Sequence, residues 1–205
     1  MACLYEPMAL IPLETILILL LAARSDSSLP DDQVVSSGVR DGDHQAFKCF
    51  FERYHTYLYR YLTRMGVVPN AAEDLVQQAF LTIWERRSQI DPTRSLRAYL
   101  FQIGHNRALN YFRERRRIED ENEFPDPEDP TPGGDQMTDA SLLKRRLEEA
   151  ITQLPGRRRA VFELCFLQDF TYREAAEVLG ISPKTVENQM SQALKFLRAS
   201  LTDFR

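Results

Sequence analysis

Residues 170–198, FTYREAAEVLGISPKTVENQMSQALKFLR, decide the fold of the C-terminal quarter of the chain. Thr171, followed three positions later by Glu174, forms a capping-box pattern that is typical of the start of a helix. Gly180 has the conformational freedom to adopt the left-handed backbone that commonly ends a helix. The pattern therefore predicts a short helix over 172–179 that ends in a tight turn.

A second helix is predicted directly after this turn, over 183–201. Ser182 is a favourable N-cap residue, and Pro183 falls at the first helical position, where a missing amide hydrogen costs nothing. We expect Ile181, between the two helices, to be a buried anchor. Apolar residues at three- and four-residue steps form the inward face of the second helix: Val186, Met190, Leu194 and Leu197. Two helices joined in this way form a helix-turn-helix.

The opposite face of the second helix is polar. It presents Lys184, Thr185, Glu187, Asn188, Ser191, Gln192 and Lys195, and the preceding helix adds Arg173. Side-chain amides pair with adenine, lysine binds guanine or phosphate, threonine contacts the thymine methyl group and glutamate accepts from cytosine. We therefore predict that this face binds the major groove of duplex DNA. The alternative is an ordinary helical hairpin with a solvated polar face.

Charge is divided unevenly along the chain, whose net charge is −4. Residues 38–117 hold 14 basic and 8 acidic residues, a net charge of +6, and residues 141–205 hold 11 and 8, a net charge of +3. Residues 118–140 hold nine acidic residues, no basic residue and four prolines. Such a composition does not form a core, so we predict a flexible acidic linker between two basic domains.

Residues 1–37 are predicted to be an N-terminal extension that is disordered or loosely docked. Its uncharged apolar run, at 15–23, is much shorter than the roughly 20 residues that a membrane-spanning helix needs, and no basic residue precedes it. We therefore expect no stable membrane insertion and a cytoplasmic protein. The cysteines are far apart in sequence and are predicted to be buried structural thiols: Cys3, Cys49 and Cys165.

All strong periodicities in the chain are helical, so we predict an all-α fold of two small domains without a sheet. Besides the two helices above, five are predicted, over 43–65, 70–87, 95–117, 142–154 and 156–168. Asp43 is the candidate N-cap of the first of these. The helix over 70–87 is expected to bury Ala71, Leu75, Ala79, Ile83 and Trp84.

Cations and aromatic rings are mixed along the helix predicted over 95–117. Cations follow a nucleic-acid backbone, and rings stack on extruded bases, so this mixture suits single-stranded or melted DNA. The candidate residues are Tyr99, Asn106, Arg107, Asn110, Tyr111, Arg113 and Arg116. The alternative interpretation is core aromatics beside a charged helix end.

A different surface is predicted on the helix over 70–87, where exposed polar residues neighbour apolar ones. It would be a docking face for a partner protein, formed by Glu73, Asp74, Gln77, Gln78 and Trp84. A solvated helix face is the alternative.

Four stretches, in this order and spacing, resemble bacterial RNA polymerase sigma factors of the sigma-70 type, in the small extracytoplasmic-function (ECF) group. They are AEDLVQQAFLTIWERR (72–87), SLRAYLFQIGHNRALNYFRERRR (95–117), LPGRRRAVFELCFLQDFTYREAAEVLGIS (154–182) and PKTVENQMSQALKFLR (183–198). The resemblance covers about residues 38–117 and 141–203. The extension is foreign to the family pattern, and His105 occupies a position that is more often basic or small in the family.

The resemblance implies a two-domain fold, like sigma regions 2 and 4, and a role for each segment. Residues 72–87 would dock on the clamp helices of the large subunit of core RNA polymerase. Residues 95–117 would recognise and melt the minus-ten promoter element, and residues 171–197 would bind the minus-thirty-five element as duplex DNA. An anti-sigma factor is a further implied partner. The protein would then direct promoter-specific transcription initiation.

Two other function classes require different sequence features. A stand-alone helix-turn-helix transcriptional regulator of the response-regulator type shares the I-S-x-x-T-V string at 181–186, but it predicts an α/β receiver domain. An enzyme needs a nucleophile and base, a phosphate-binding loop or a metal cluster, and the sequence holds none of these patterns. We therefore expect no catalytic activity, no cofactor and no metal.

Overall fold

The computed structural model describes residues 32–121 and 139–202, which form helices joined by short turns. The helices are α1 (Asp32–Arg40), α2 (His44–Arg64), α3 (Pro69–Glu85), α4 (Leu96–Glu121), α5 (Asp139–Thr152), α6 (Gly156–Phe162), α7 (Tyr172–Leu179) and α8 (Pro183–Thr202). A 3-10 turn, Arg87–Gln89, follows α3, and a π-helical segment, Glu163–Leu167, continues α6. No strand occurs in these described residues, and the all-α prediction is confirmed. We refer to α1–α4 as the first helical group and to α5–α8 as the second.

Helix α1 corrects the predicted boundary of the N-terminal extension. It begins at Asp32, whereas the extension was expected to continue to residue 37. Val35 and Val39 are buried, so one face of this short helix belongs to the core of the first group. The sequence signal is weak because only two apolar side chains anchor nine residues. The remainder of the predicted extension lies outside the described residues.

The core of the first group lies between α2, α3 and α4. Asp43 caps α2 as predicted, because its carboxylate accepts the amide hydrogen of Gln45 at 2.8 Å. Leu58 of α2 is fully buried, and Gly104 of α4 lies directly against it. A Cβ at Gly104 would lie only 2.7 Å from Cδ1 of Leu58, so the glycine allows the two helices to cross closely.

The buried face of α3 differs from the predicted one by one position. Ala72 and Val76 are buried, whereas Ala71 and Leu75 are only partly buried. Ala79 and Ile83 are buried as expected, and Trp84 is partly buried. Apolar residues occupy two adjacent stripes at the start of this helix, so periodicity alone did not distinguish them.

The segment between α4 and α5 is shorter at both ends than the predicted acidic linker. Helix α4 continues to Glu121, past the expected boundary at 118, and α5 begins at Asp139, before the expected boundary at 141. A charged sequence that lacks proline does not prevent a long helix from continuing, so the start of the linker that was predicted from composition is too early. The rest of the linker, 122–138, lies outside the described residues.

The second group contains the predicted helix-turn-helix, α7–α8. Thr171 Oγ1 accepts the amide hydrogen of Glu174, whose carboxylate accepts the amide hydrogen of Thr171, so the capping box is complete. Gly180 adopts the left-handed conformation with φ of +64°. Ile181, however, is 37% exposed, and the expectation of a buried anchor is wrong. Its amide hydrogen is donated to the carbonyl of Ala176, so the residue closes α7 through its backbone rather than its side chain.

The cysteines also differ from expectation. Cys49 is exposed, so it is not the buried thiol that was predicted, whereas Cys165 is partly buried. Burial raises the pKa of the Cys165 thiol to about 11, with a smaller contribution from the Glu174 carboxylate. Cys3 lies outside the described residues. Within residues 32–121 and 139–202, none of the helices is both long and apolar enough to cross a bilayer.

Candidate nucleic-acid interface

The polar face of α8 is accessible along its length. All seven predicted base-contacting residues on α8 are exposed, as is Arg173 on α7. The inward stripe of Val186, Met190 and Leu197 is buried, with Ala193 beside it. Because these side chains pack against α6 and α7, the helix axis is fixed by the core and the polar face is directed outward.

Two contacts organise the start of this face. Lys184 Nζ lies 2.9 Å from Oε2 of Glu187, so the two predicted base readers form an ion pair one turn apart. Ser182 Oγ accepts the amide hydrogen of Thr185 at 3.1 Å, which confirms the predicted N-cap of α8. An exposed helix N-terminus that carries a lysine is suited to contact phosphates and base edges in a major groove.

The candidate residues on α4 divide into two sets. Asn106, Asn110, Arg113 and Arg116 are exposed. Asn110 accepts a hydrogen bond from Arg113 Nη1 at 3.1 Å, one helical turn away. These four residues form a basic and amide-bearing surface that is accessible to a nucleic-acid strand.

Arg107 lies on another side of α4, which faces α3. Its Nη1 donates to Oε1 of Gln78 at 2.7 Å, and its Nη2 donates to Oγ1 of Thr82 at 2.9 Å. Arg107 therefore joins α4 to α3, and it connects the predicted melting helix with the predicted docking helix. No local sequence pattern predicts this contact, since 25 or more positions separate the partners.

The aromatic residues of α4 are less accessible than its cations. Tyr99 and Tyr111 are partly buried, and the Tyr111 ring packs against Phe112 with centroids 5.3 Å apart. Phe101 is fully buried between Tyr61 and Phe170 and therefore belongs to the core. The two tyrosines predicted to stack on bases, Tyr99 and Tyr111, are therefore only partly accessible.

The predicted docking residues lie beside an apolar groove of about 340 Å³ between α2 and α3. The Trp84 ring packs between His44 and Phe47, with centroids 4.8 and 4.9 Å away, and the Arg87 guanidinium lies 4.7 Å from its ring centroid. Gln77 lines the groove with Trp84, and Glu73 and Asp74 are exposed one turn earlier. Gln78 is directed instead to Arg107.

Two apolar residues of this groove were missed by sequence reasoning. Leu81 is 56% exposed and Phe51 is 36% exposed, although both are large apolar side chains beside the groove. Leu81 follows Gln77 by four positions, so the helical repeat from the predicted docking residues pointed to it. A partly apolar groove with a polar border is typical of a protein-binding surface.

A polar cluster lies where the two helical groups meet, and three of its side chains, Tyr61, His105 and Glu163, are buried. The Tyr61 hydroxyl is 2.8 Å from Nδ1 of His105, and Arg64 Nη1 is 3.2 Å from Oε2 of Glu163. Burial lowers the pKa of His105 to about 4, and burial together with the Glu163 charge raises the pKa of Tyr61. These shifts favour a neutral imidazole and a protonated phenol, and His105 is consequently a core residue rather than a nucleic-acid contact.

Comparison with known proteins agrees with this geometry. The sequence model described as "Sigma-70 region 2" matches residues 50–118, and that described as "Sigma-70, region 4" matches residues 144–197. The ECF RNA polymerase sigma factor RpoE of Cereibacter sphaeroides is 30% identical over 161 residues, which span 78% of this chain and 88% of that protein. The chain belongs to the ECF sigma factors of the sigma-70 family.

Other members of the family match over similar lengths. The sigma factor CnrH of Cupriavidus metallidurans is 28% identical over 179 residues, covering 83% of this ECF factor and 94% of that protein. The solved structure of CnrH in complex with the cytosolic domain of CnrY superposes with a TM-score of 0.63 at 26% identity. That superposition covers 85% of this chain and 99% of CnrH.

Family membership decides between these function classes. The stand-alone regulator has no support, because residues 32–121 are helical where it requires an α/β receiver domain. Sigma factors are initiation factors and not enzymes, which agrees with the prediction of no catalytic activity.

Proposed function

We infer that this ECF factor binds core RNA polymerase and directs it to specific promoters. The observation that carries this inference is the presence, in one chain, of a helix-turn-helix with an exposed polar face and a second helical group with its own basic face. Such a pair fits a protein that contacts a promoter at two places, as duplex and as opened strand.

The duplex contact is assigned to α8 and Arg173. We propose that Lys184, Asn188 and Gln192 contact base edges of the minus-thirty-five element, since amide and ammonium groups supply the required donors. Thr185, Glu187, Ser191 and Lys195 complete the face. The ion pair between Lys184 and Glu187 must rearrange or share its charge when Lys184 meets a guanine or a phosphate.

The melted strand is assigned to α4. We propose that Arg113 and Arg116 follow the backbone of the minus-ten element, while Asn106 and Asn110 contact its bases. The accessible parts of Tyr99 and Tyr111 supply stacking surfaces. Arg107 fits a positioning role better than direct contact, because both ends of its guanidinium are already bound by Gln78 and Thr82.

The polymerase contact is assigned to the groove between α2 and α3. Glu73, Asp74 and Gln77 supply a polar border, and Leu81 and Phe51 supply exposed apolar surface beside Trp84. We propose that the clamp helices of the large subunit of core polymerase bind here. A helix laid into such a groove buries the apolar residues and leaves the carboxylates at the rim.

Regulation and location follow from the same proposal. We propose that the factor works in the cytoplasm, where core polymerase acts, and that an anti-sigma factor controls it. CnrH was solved in complex with the cytosolic domain of CnrY, and the RpoE factor of Bartonella quintana with the anti-sigma factor NepR. A partner of this class is therefore the first to be sought for this chain.

In vitro transcription on a fragmented genomic template tests the proposal. Core polymerase alone and core polymerase with this protein are compared, and the 5′ ends of the transcripts are sequenced. We expect new transcripts that start downstream of a shared pair of elements. Transcripts that are identical with and without the protein would contradict the assignment.

A further inference from the structure

A cleft of about 470 Å³ lies beside His105, between α4 and the helix-turn-helix. Its volume falls within the range of pockets that hold small organic molecules. An α-helix with its side chains is about 10 Å wide, so two turns of a partner helix occupy roughly 850 Å³. The cleft is therefore of a size to enclose a small molecule rather than a helix.

The wall of this cleft is mainly apolar. Leu109 of α4 and Ile181, in the turn before α8, are large apolar side chains that remain 39% and 37% exposed, and both line the cleft. Phe112 and Leu179 add partly buried apolar surface. An apolar group bound here would remove this surface from water, which is favourable in proportion to the area covered. The exposure of Ile181, which the packing of the helix-turn-helix does not explain, is thereby accounted for.

The charged residues that line the cleft are mostly basic. Three arginines, Arg64, Arg157 and Arg159, lie beside the single carboxylate of Glu163. Burial lowers the pKa of His105 to about 4, so its imidazole is neutral near pH 7. Three arginines and one glutamate give the lining a net charge of +2. A ligand that complements this lining is an anion.

Two of these guanidinium groups are held in place by contacts within the chain. Arg64 Nη1 lies 3.2 Å from the Glu163 carboxylate. Arg159 donates to the backbone carbonyls of Thr152 and Met65, at 3.4 Å each. A guanidinium has five N–H donors in one plane, so these contacts engage only part of each group. Such a group binds a carboxylate through two parallel hydrogen bonds.

We propose that this cleft binds a small organic anion with an apolar chain or ring. The apolar part lies against Leu109 and Ile181, and the carboxylate contacts Arg157 and Arg159. The apolar wall selects against inorganic anions, and the arginines select against neutral and cationic molecules of the same shape. Among the residues proposed to contact duplex DNA, Thr185 alone lines the cleft, so this site is distinct from the promoter contacts.

Octanoate is the probe for this site, and its binding to the full chain is measured by isothermal titration calorimetry at neutral pH. Octylamine, 1-octanol and inorganic phosphate are titrated in parallel, because each lacks one feature of the proposed ligand. We expect saturable binding of one octanoate per chain and at least tenfold weaker binding of the other three. Octylamine or octanol bound as tightly as octanoate would overturn the role of the arginines. Phosphate bound as tightly would overturn the role of the apolar wall.

Two pairs of variants locate the site. Arg157→Glu is compared with Arg158→Glu, the next residue, which does not line the cleft. Ile181→Glu is compared with Tyr172→Glu, an exposed aromatic residue of α7 that also lies outside the lining. We expect the first variant of each pair to weaken octanoate binding at least tenfold and the second to stay within twofold of the parent chain. Circular dichroism checks that all four variants are folded.

Unchanged affinity in Arg157→Glu or in Ile181→Glu would overturn the proposal, because the site requires both its cation and its apolar wall. An equal loss in Arg158→Glu would also overturn it, since binding would then follow surface charge and not this cleft.

The apolar groove between α2 and α3 is the competing location for octanoate. Methyl NMR of a chain labelled at isoleucine and leucine distinguishes the two, because Leu109 and Ile181 line the cleft and Leu81 lines the groove. We expect octanoate to shift the methyl signals of Leu109 and Ile181 and to leave those of Leu81 unchanged. Shifts at Leu81 alone would place the anion in the groove and contradict the proposed site. These measurements contain neither polymerase nor DNA, so their failure would leave the sigma-factor function intact.

Discussion

The hydroxyl of Tyr61 lies 2.8 Å from Nδ1 of His105, and both side chains are buried between α2 and α4. The two residues are 44 positions apart, so the hydrogen bond connects α2 to α4, the helix proposed to bind melted DNA. Burial is the cause that lowers the pKa of His105 to about 4. The imidazole therefore makes the stability of the first helical group depend on pH.

The free energy of unfolding is expected to fall as the pH is lowered from 6.5 to 4. The pKa of His105 is about 4 in the folded chain and 6.5 when unfolded, so the unfolded state binds the proton first. The neutral His105 imidazole contributes about 3 kcal/mol to the free energy of unfolding above pH 6.5. This contribution is lost progressively as the pH falls to 4. Urea unfolding at several pH values should show this slope in the parent chain and a weaker slope in His105→Gln.

Tyr61→Phe separates the hydrogen bond from the titration. We expect it to lower the free energy of unfolding by about 1–3 kcal/mol, because it leaves a buried imidazole nitrogen without a partner. The slope between pH 6.5 and 4 should remain, because burial rather than the hydrogen bond causes the shift. A slope lost in Tyr61→Phe but kept in His105→Gln would reverse this assignment.

Gly180→Ala is expected to lower the free energy of unfolding by about 1–2 kcal/mol, the cost of a left-handed conformation for a residue with a Cβ. No atom within 4 Å would meet the added methyl group, so the cost is one of backbone conformation alone. Gly156→Ala is the matched control, because that glycine begins α6, has no left-handed φ and is also open to solvent. Chemical unfolding of both variants measures the difference, and equal stability would contradict the argument.

Leu81→Glu is expected to weaken binding to core polymerase about tenfold, or about 1.4 kcal/mol, since it removes an exposed apolar residue from the proposed docking groove. Asp74→Lys should also weaken binding. Val34→Glu is the control, because Val34 is an exposed apolar residue, 65% accessible, on α1 and away from the groove lining. Fluorescence anisotropy of the labelled factor measures its affinity for core polymerase. Equal affinities for Leu81→Glu and Val34→Glu would refute the docking site.

Alanine at Lys184, Asn188 or Gln192 should relax the sequence preference at individual positions of the upstream element, at a cost of about 1–3 kcal/mol for the preferred base. Arg173→Ala should weaken all sequences equally and reduce the dependence of affinity on salt, as expected for a phosphate contact. Binding selections from a randomised duplex library, at two salt concentrations, distinguish the two patterns. A uniform loss at all four positions would show that none of them reads bases.

Local signals in the sequence predicted the helix-turn-helix well. The capping box at Thr171, the turn at Gly180 and the cap at Ser182 each depend on residues within three or four positions, and all three are confirmed. The apolar Ile181, in the turn between the two helices, predicts a buried side chain, whereas the structure leaves it 37% exposed. Its backbone amide rather than its side chain makes the structural contact.

Contacts between residues far apart in the sequence could not be predicted from it. Nothing near Arg107 in sequence indicates Gln78, and nothing near Glu163 indicates Arg64, so neither pairing was predicted. Glu163 did leave one signal, since it is a lone carboxylate in the apolar run VFELCF (161–166). An acidic residue in such a run favours a buried ion pair whose partner the sequence does not name.

The π-helical segment Glu163–Leu167 sets an angle as well as a contact. The Gln168 amide donates to the carbonyl of Glu163, five residues earlier, so this turn contains one residue more than an α-helical turn would. One residue corresponds to a rotation of about 100° around a helix axis. Removing a single residue here would turn Phe170, α7 and α8 by about that angle relative to α6, so one added residue orients the whole recognition helix.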